Sequence, residues 1–166
     1  MIVRPERSAD FAAIRALVQA AFDSPVEPKL VDDLRGSPGY LPELALVAED
    51  EEPVGHVMFT ITVLESGTPI LMLSPLAVRP DRQREGIGSA LVEEGLHRAR
   101  ERDEPVVIVE GDPRYYSRFG FRQAKELGLE RPDEGTPEFA FQALPLPAHD
   151  ASVRGRVLYP HAFDGL

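Results

Sequence analysis

Cysteine is missing from the 166-residue chain, which excludes disulfides, thiolate metal ligands and thioester-forming side chains. Long apolar runs are missing as well. None approaches the roughly 18 to 20 residues that a helix needs to cross a bilayer, so no membrane span is expected. Met1 to Arg7 carries charge but no apolar region follows it, so a signal peptide is not expected and the cytoplasm is the expected location. Repeats, low-complexity tracts and linkers are absent, and the length suits one domain, so residues 1–166 are expected to fold as a single unit with 145–166 as a packed tail. Basic charge is in short supply, with 18 Lys and Arg against 28 Asp and Glu. The resulting net charge of -10 argues against a nucleic-acid partner. It favours a cationic partner, or serves only solubility. The four histidines are scattered without ligand spacing, so no metal site is expected.

What the chain does carry is concentrated between Leu71 and Phe121. An apolar run rich in branched residues stops at Arg79-Pro80, a polar loop follows, and Gly86 and Gly88 flank Ile87. Ile87, Leu91, Val92, Leu96 and Ala99 then recur at helical spacing. This is strand, loop, helix. The first N–H groups of such a helix lack intrahelical partners and sit at the positive end of its dipole, which makes the turn an anion site that glycines leave open. Arg79, Arg82 and Arg84 crowd the same turn, and in an acidic chain they point to a polyanionic ligand. The plainer reading is a tight turn with arginines facing water.

Around this centre the pattern alternates helix and strand. Ile2-Val3-Arg4 reads as a strand, and Ser8 as the cap of a helix with Phe11, Ile14, Leu17, Val18, Ala21 and Phe22 on one face. A short helical piece near Lys29 to Arg35 follows, then strands at Leu44–Glu49, Val54–Leu64 and Ile70–Val78 in an antiparallel meander. Along the second of these, Val57, Phe59, Ile61 and Val63 take one face and His56, Met58, Thr60 and Thr62 the other. Pro75 lacks an N–H and marks a bulge or splayed edge where a ligand can lie against the backbone. Val106 to Val109 is fully apolar, which predicts a buried parallel strand after a crossover helix. Gly111-Asp112-Pro113 is a turn, Arg114 to Phe119 a short helix ended by Gly120, residues 138–143 a strand, and Arg156 to Tyr159 a last strand.

The run Leu76-Ala77-Val78-Arg79-Pro80, the run Gln83-Arg84-Glu85-Gly86-Ile87-Gly88-Ser89-Ala90-Leu91 and the block Tyr115-Tyr116-Ser117-Arg118-Phe119-Gly120-Phe121 together resemble the GNAT superfamily of acetyl-CoA-dependent N-acetyltransferases. Within it the chain is similar to small bacterial members with a Gly-Asp-Pro-x-Tyr-Tyr-x-Arg-Phe-Gly-Phe block and a tail like Gly155 to Phe163. The resemblance implies an α/β fold: a mixed central sheet of about seven strands, antiparallel in its N-terminal part, with a parallel splayed pair and flanking helices. It also implies that acetyl-CoA is the co-substrate and a primary amine, on a small molecule or a peptide, the acceptor. Acyl transfer without cysteine must then be direct.

By this resemblance the pyrophosphate of the carrier meets the backbone of Gln83, Arg84, Glu85, Gly86, Ile87, Gly88 and Ser89. The amides of its pantetheine arm pair with Leu76, Ala77 and Val78 like an added strand, and an N–H near Val78 is the oxyanion donor. Tyr116, four residues before Gly120, is the expected general acid for the departing thiolate and a further cofactor contact, with Tyr115 as substitute. For the base that deprotonates the amine, Glu110, His56 and Glu49 are candidates. Gly111-Asp112 stands where other members have an Asn after the parallel strand. Acceptor choice is expected on the segments Asp23–Tyr40 and Arg131–Pro137, and homodimerisation is compatible with the fold class. Two rivals stay open: a non-catalytic acyl-CoA sensor, and a dinucleotide-binding enzyme read from Gly86-Ile87-Gly88 with Glu110 downstream. Against the second, Leu91 occupies the third glycine position and seven residues separate strand from glycine, from Arg79 to Glu85.

Overall fold

The computed structural model describes residues 1–166, in the order β1 (Ile2–Pro5), α1 (Phe11–Phe22), α2 (Val26–Arg35), β2 (Tyr40–Asp50), β3 (Glu52–Leu64), β4 (Pro69–Val78), α3 (Ile87–Ala99), β5 (Val106–Glu110), α4 (Pro113–Tyr116), β6 (Arg122–Gln123), β7 (Leu129–Glu130), β8 (Phe141–Pro145) and β9 (Gly155–Leu158). Short 3-10 turns join several of these. Nine strands form where about seven were expected, and the additional β6 and β7 are two residues long each. So short a strand leaves no alternation to read. No helix is long and apolar enough to cross a membrane.

Two units divide the chain, Met1–Thr60 with Ser74–Arg98, and Ile61–Leu73 with Ala99–Leu166. In the first, β1, β2 and β3 pair antiparallel, with Val3 opposite Ala48 and Val47 opposite His56. β4 returns beside β3, where the Arg79 N–H donates to the Val54 carbonyl at 2.8 Å. Successive residues of β3 point to opposite faces, and the helices divide accordingly. Gly55 and Phe59 face α3, and a Cβ at Gly55 would come within 2.9 Å of Leu91 and 3.0 Å of Ile87. His56 faces the other way, toward a polar network that ends on Arg35 of α2.

The second unit holds the parallel pair. Leu71 lies opposite Val107 and Met72 opposite Ile108. β5 is antiparallel to β8, β6 adds to β8, and β9 adds to the end of β3 with Val63 opposite Leu158. Val106 and Ile108 join Leu64, Ile70, Met72, Leu129, Phe141 and Val157 in one core cluster, with Tyr159 and Phe163 packed against it. A strand buried on both faces needs the unbroken apolar run that Val106 to Val109 supplies.

Three local readings change. Ser8 does not cap α1; the Asp10 carboxylate accepts from the Arg7 N–H at 2.7 Å and from Arg4 at 2.8 and 2.9 Å. A charged acceptor held by a guanidinium prevails over a hydroxyl at that turn. The strand expected from residue 138 starts at Phe141, because Glu138–Ala140 wind a 3-10 turn that leaves Phe139 exposed. β2 begins at Tyr40, with a register shift before Ala45 that broke the pattern in the sequence.

Candidate active site

The loop before α3 has the backbone that the two glycines predict. Gly86 sits at φ 84°, a left-handed conformation that a residue with a Cβ adopts only under strain, and its carbonyl accepts the Ala90 N–H at 3.0 Å. A Cβ there would meet nothing within 4 Å, so conformation rather than crowding demands the glycine. The N–H groups of Ile87, Gly88 and Ser89, in the first turn of α3, have no intrahelical acceptor. Arg84, also left-handed at φ 65°, is exposed.

The three arginines do not all serve as free charge. Arg79 pairs with Glu52 at 2.5 Å and Asp81 at 2.6 Å, and Arg82 with Asp50 at 2.8 Å and Glu85 at 3.1 Å. The sequence expectation of three arginines aimed at one polyanion is therefore corrected: Arg79 and Arg82 brace the loop against neighbouring carboxylates. Gln83 links the loop to the strand before it, donating from Nε2 to the Val78 carbonyl at 3.1 Å. Leu76, Ala77 and Val78 form the last turn of the pleat of β4, beyond the ladder at Leu71 and Met72, with Ala77 buried and its neighbours half-buried.

In the second unit Asp112 caps α4, its carboxylate accepting the Arg114 N–H at 2.9 Å. Gly120, at φ 100°, ends the following turn. That short helix buries Tyr116 edge-on against Tyr115 and Phe121, at centroid distances of 5.1 and 5.7 Å. Burial, and secondarily the neighbouring Tyr115, pushes the Tyr116 phenol well above the usual tyrosine range, so it stays protonated at neutral pH. The close approach is possible because residue 111 is glycine: a Cβ there would lie 2.5 Å from Tyr116 Cε2.

Glu110, which ends β5 on the same face as Val106 and Ile108, is exposed. Its carboxylate accepts from the Tyr159 hydroxyl at 3.1 Å and from the Thr136 hydroxyl at 3.4 Å. Neither partner was legible in the sequence, since they lie 49 and 26 residues away and only tertiary approach brings them to Glu110.

His56 is placed differently from a base that meets substrate. The side chain is fully buried, with Nε2 2.8 Å from Glu6, whose other oxygen accepts from Tyr40 at 2.7 Å and Arg35 at 2.8 Å. Closed off from solvent, His56 joins through Glu6 the network that attaches α2. Glu49 is likewise engaged, accepting from Arg4 at 2.9 Å. His97 and His161 are exposed, and no group of side chains is arranged to hold a metal ion.

The sequence profile described as Acetyltransferase (GNAT) domain matches residues 2–124. The chain belongs to the GNAT acetyltransferase family. It is 39% identical to the uncharacterized N-acetyltransferase YhbS of Escherichia coli K12, over 99% of both chains. Among solved structures it is similar to the GNAT N-acetyltransferase YhbS from Escherichia coli in complex with CoA, at 35% identity and TM-score 0.89, covering 98% of this chain and 91% of that one. A GNAT acetyltransferase from Brucella melitensis in complex with acetyl-CoA matches at 33% identity and TM-score 0.79, covering 98% and 97%. GNAT membership makes the chain an acyltransferase that takes acetyl-CoA as co-substrate, and it removes the dinucleotide reading. The mixed sheet with its parallel pair is the GNAT architecture.

Proposed function

We propose that this GNAT enzyme moves the acetyl group of acetyl-CoA directly to a primary amine, with the pyrophosphate held by the turn from Gln83 to Ser89. The observation that carries this reading is Gly86 at φ 84° opening α3 with uncommitted first-turn N–H groups, an arrangement suited to twin phosphates. Arg84 adds charge at the same turn, and the two solved relatives are described with CoA and acetyl-CoA. The pantetheine amides pair with Leu76 and Ala77, and the Val78 N–H serves the oxyanion of the tetrahedral intermediate.

The reaction requires a neutral nitrogen to attack the thioester carbon. The C–N bond forms, the C–S bond breaks, one proton leaves the nitrogen and one reaches the sulfur. Tyr116 supplies the second proton, a role that fits a phenol kept protonated by burial. Glu110 is our candidate for the base, a reading supported by its exposure and by the two hydroxyls that orient it, whereas His56 is buried.

Thiol release from acetyl-CoA in the presence of a primary-amine panel, with the acetylated product identified by mass spectrometry, tests the proposal. Amine-dependent release is expected. Tight acetyl-CoA binding with no release across the panel would favour the non-catalytic sensor instead.

A further inference from the structure

Gln142 stands within β8, a strand that is otherwise apolar, and is 1% exposed. Phe141 and Ala143 on either side of it join the core cluster of the second unit, and strand side chains alternate, so Gln142 faces the other way. Leu144 shares that face and lies against Gly120, where a Cβ would come within 3.0 Å of Leu144 Cδ1. This face of β8 therefore supports the turn that follows α4.

A primary amide buried among apolar groups costs free energy unless its donors find acceptors. Here Nε2 donates to the Gly111 carbonyl at 3.1 Å and to the Ala140 carbonyl at 3.3 Å. The Gly111 N–H in turn donates to the Ala140 carbonyl at 3.0 Å. Gly111 is thus held by both of its backbone polar groups, and one side chain closes the circuit. A methionine would fill much the same space, so packing alone does not call for the amide.

Tyr116 rests against this same glycine. A Cβ on Gly111 would lie 2.5 Å from Cε2, 3.1 Å from Cδ2 and 3.6 Å from Cζ, the atom that carries the hydroxyl. Tyr115 and Phe121 meet the ring edge-on, so the phenol oxygen follows wherever the Gly111 backbone is set. Resting on Tyr116 as the proposed acid, we infer that Gln142 is a positioning residue for acyl transfer, which fixes the Gly111 turn and through it the place of the Tyr116 hydroxyl. Proton transfer needs hydrogen-bond reach, so a small displacement of the phenol acts on kcat while leaving binding in place.

The test is Gln142→Met, which keeps the length of the side chain and removes both donors, in the full chain with its tyrosines isotope-labelled at Cζ for NMR. The Tyr116 signal, assigned by its loss in Tyr116→Phe, is expected to shift and to titrate at lower pH than in the wild type, because a released ring gains solvent. Signals of Tyr40 and Tyr159 should stay in place. Calorimetry should find acetyl-CoA affinity kept, and thiol release from acetyl-CoA over the primary-amine panel should show kcat reduced by on the order of tenfold with KM unchanged. In the Tyr116→Phe background the substitution should cost no further kcat, since it acts through the hydroxyl. An unmoved Tyr116 signal, tyrosine signals that all move together, or losses that multiply in the double variant would overturn the inference. Tyr116→Phe with full turnover would instead strike the proposed acid, while the spectra, which need no acceptor, still decide whether Gln142 seats the ring. Should Gln142→Met fail to fold, Gln142→Asn, whose amide is too short to reach the Gly111 carbonyl, carries the same expectations.

Discussion

Gly111 and Tyr116 touch so closely that a methyl group on the glycine would lie 2.5 Å from Cε2 and 3.1 Å from Cδ2 of the ring. The ring cannot swing freely away, since Tyr115, Phe119 and Phe121 surround it at centroid distances of 5.1, 6.4 and 5.7 Å. Gly111→Ala should therefore displace the phenol without unfolding the chain. On the proposed mechanism kcat falls by on the order of 10²-fold, the scale of a misplacement of about 1 Å, while acetyl-CoA affinity is kept. Steady-state kinetics with calorimetry on the same variant measure both.

Removing the hydroxyl itself is the direct counterpart. Tyr116→Phe should lower kcat by about 10²-fold or more, the usual contribution of a positioned acid. Because burial raises the phenol pKa, the wild-type enzyme should show no loss of activity from tyrosine ionisation below pH ~10, the ordinary tyrosine value. A pH–rate profile of both proteins checks this, and equal turnover would remove the assignment.

Much of this was legible before the structure. The runs at Val54–Leu64, Ile70–Val78 and Val106–Val109 and the helical spacing from Ile87 declared their elements because burial on one or both faces dictates periodicity. The turn at Gly86 was legible because few residues other than glycine accept its φ. Hidden were the partners. Whether Arg79 faces a ligand or Glu52, 27 residues away, is decided by tertiary approach, as is the pairing of Glu110 with Tyr159. The alternation of β3 assigns His56 a face but not its partners, and only the packing of Glu6 and Arg35 shows it to be buried.

That packing carries its own consequence for pH. Burial would raise the Glu6 carboxyl, but hydrogen bonds from His56, Arg35 and Tyr40 outweigh it and bring its pKa down to about 2 from 4.5. A carboxyl depressed in the folded state stabilises above its unfolded value and loses that contribution as pH falls, here between 4.5 and about 2. The amount is on the order of 3 kcal/mol. Denaturant unfolding from pH 7 downward should show this decline in the wild type, and Glu6→Gln should be less stable at pH 7 with a flatter acid limb.

Gly95 offers a test of the core. A Cβ there would lie 2.2 Å from Cε1 of the fully buried Phe59. Although alanine is the better helix former, Gly95→Ala should destabilise by about 1 to 3 kcal/mol through overpacking. Thermal denaturation measures it, and a stabilised variant would mean that the α3 and β3 contact is looser than described.

The turn before α3 is best tested by titrating CoA into the wild type and into Gly86→Val and Gly88→Val, with circular dichroism confirming the fold. Open space surrounds Gly86, so its substitution acts through backbone conformation alone. A β-branched residue at φ 84° costs about 1 to 3 kcal/mol or shifts the turn, and affinity should fall by about tenfold or more. Unchanged CoA affinity in both variants would contradict the assignment of this turn to the pyrophosphate.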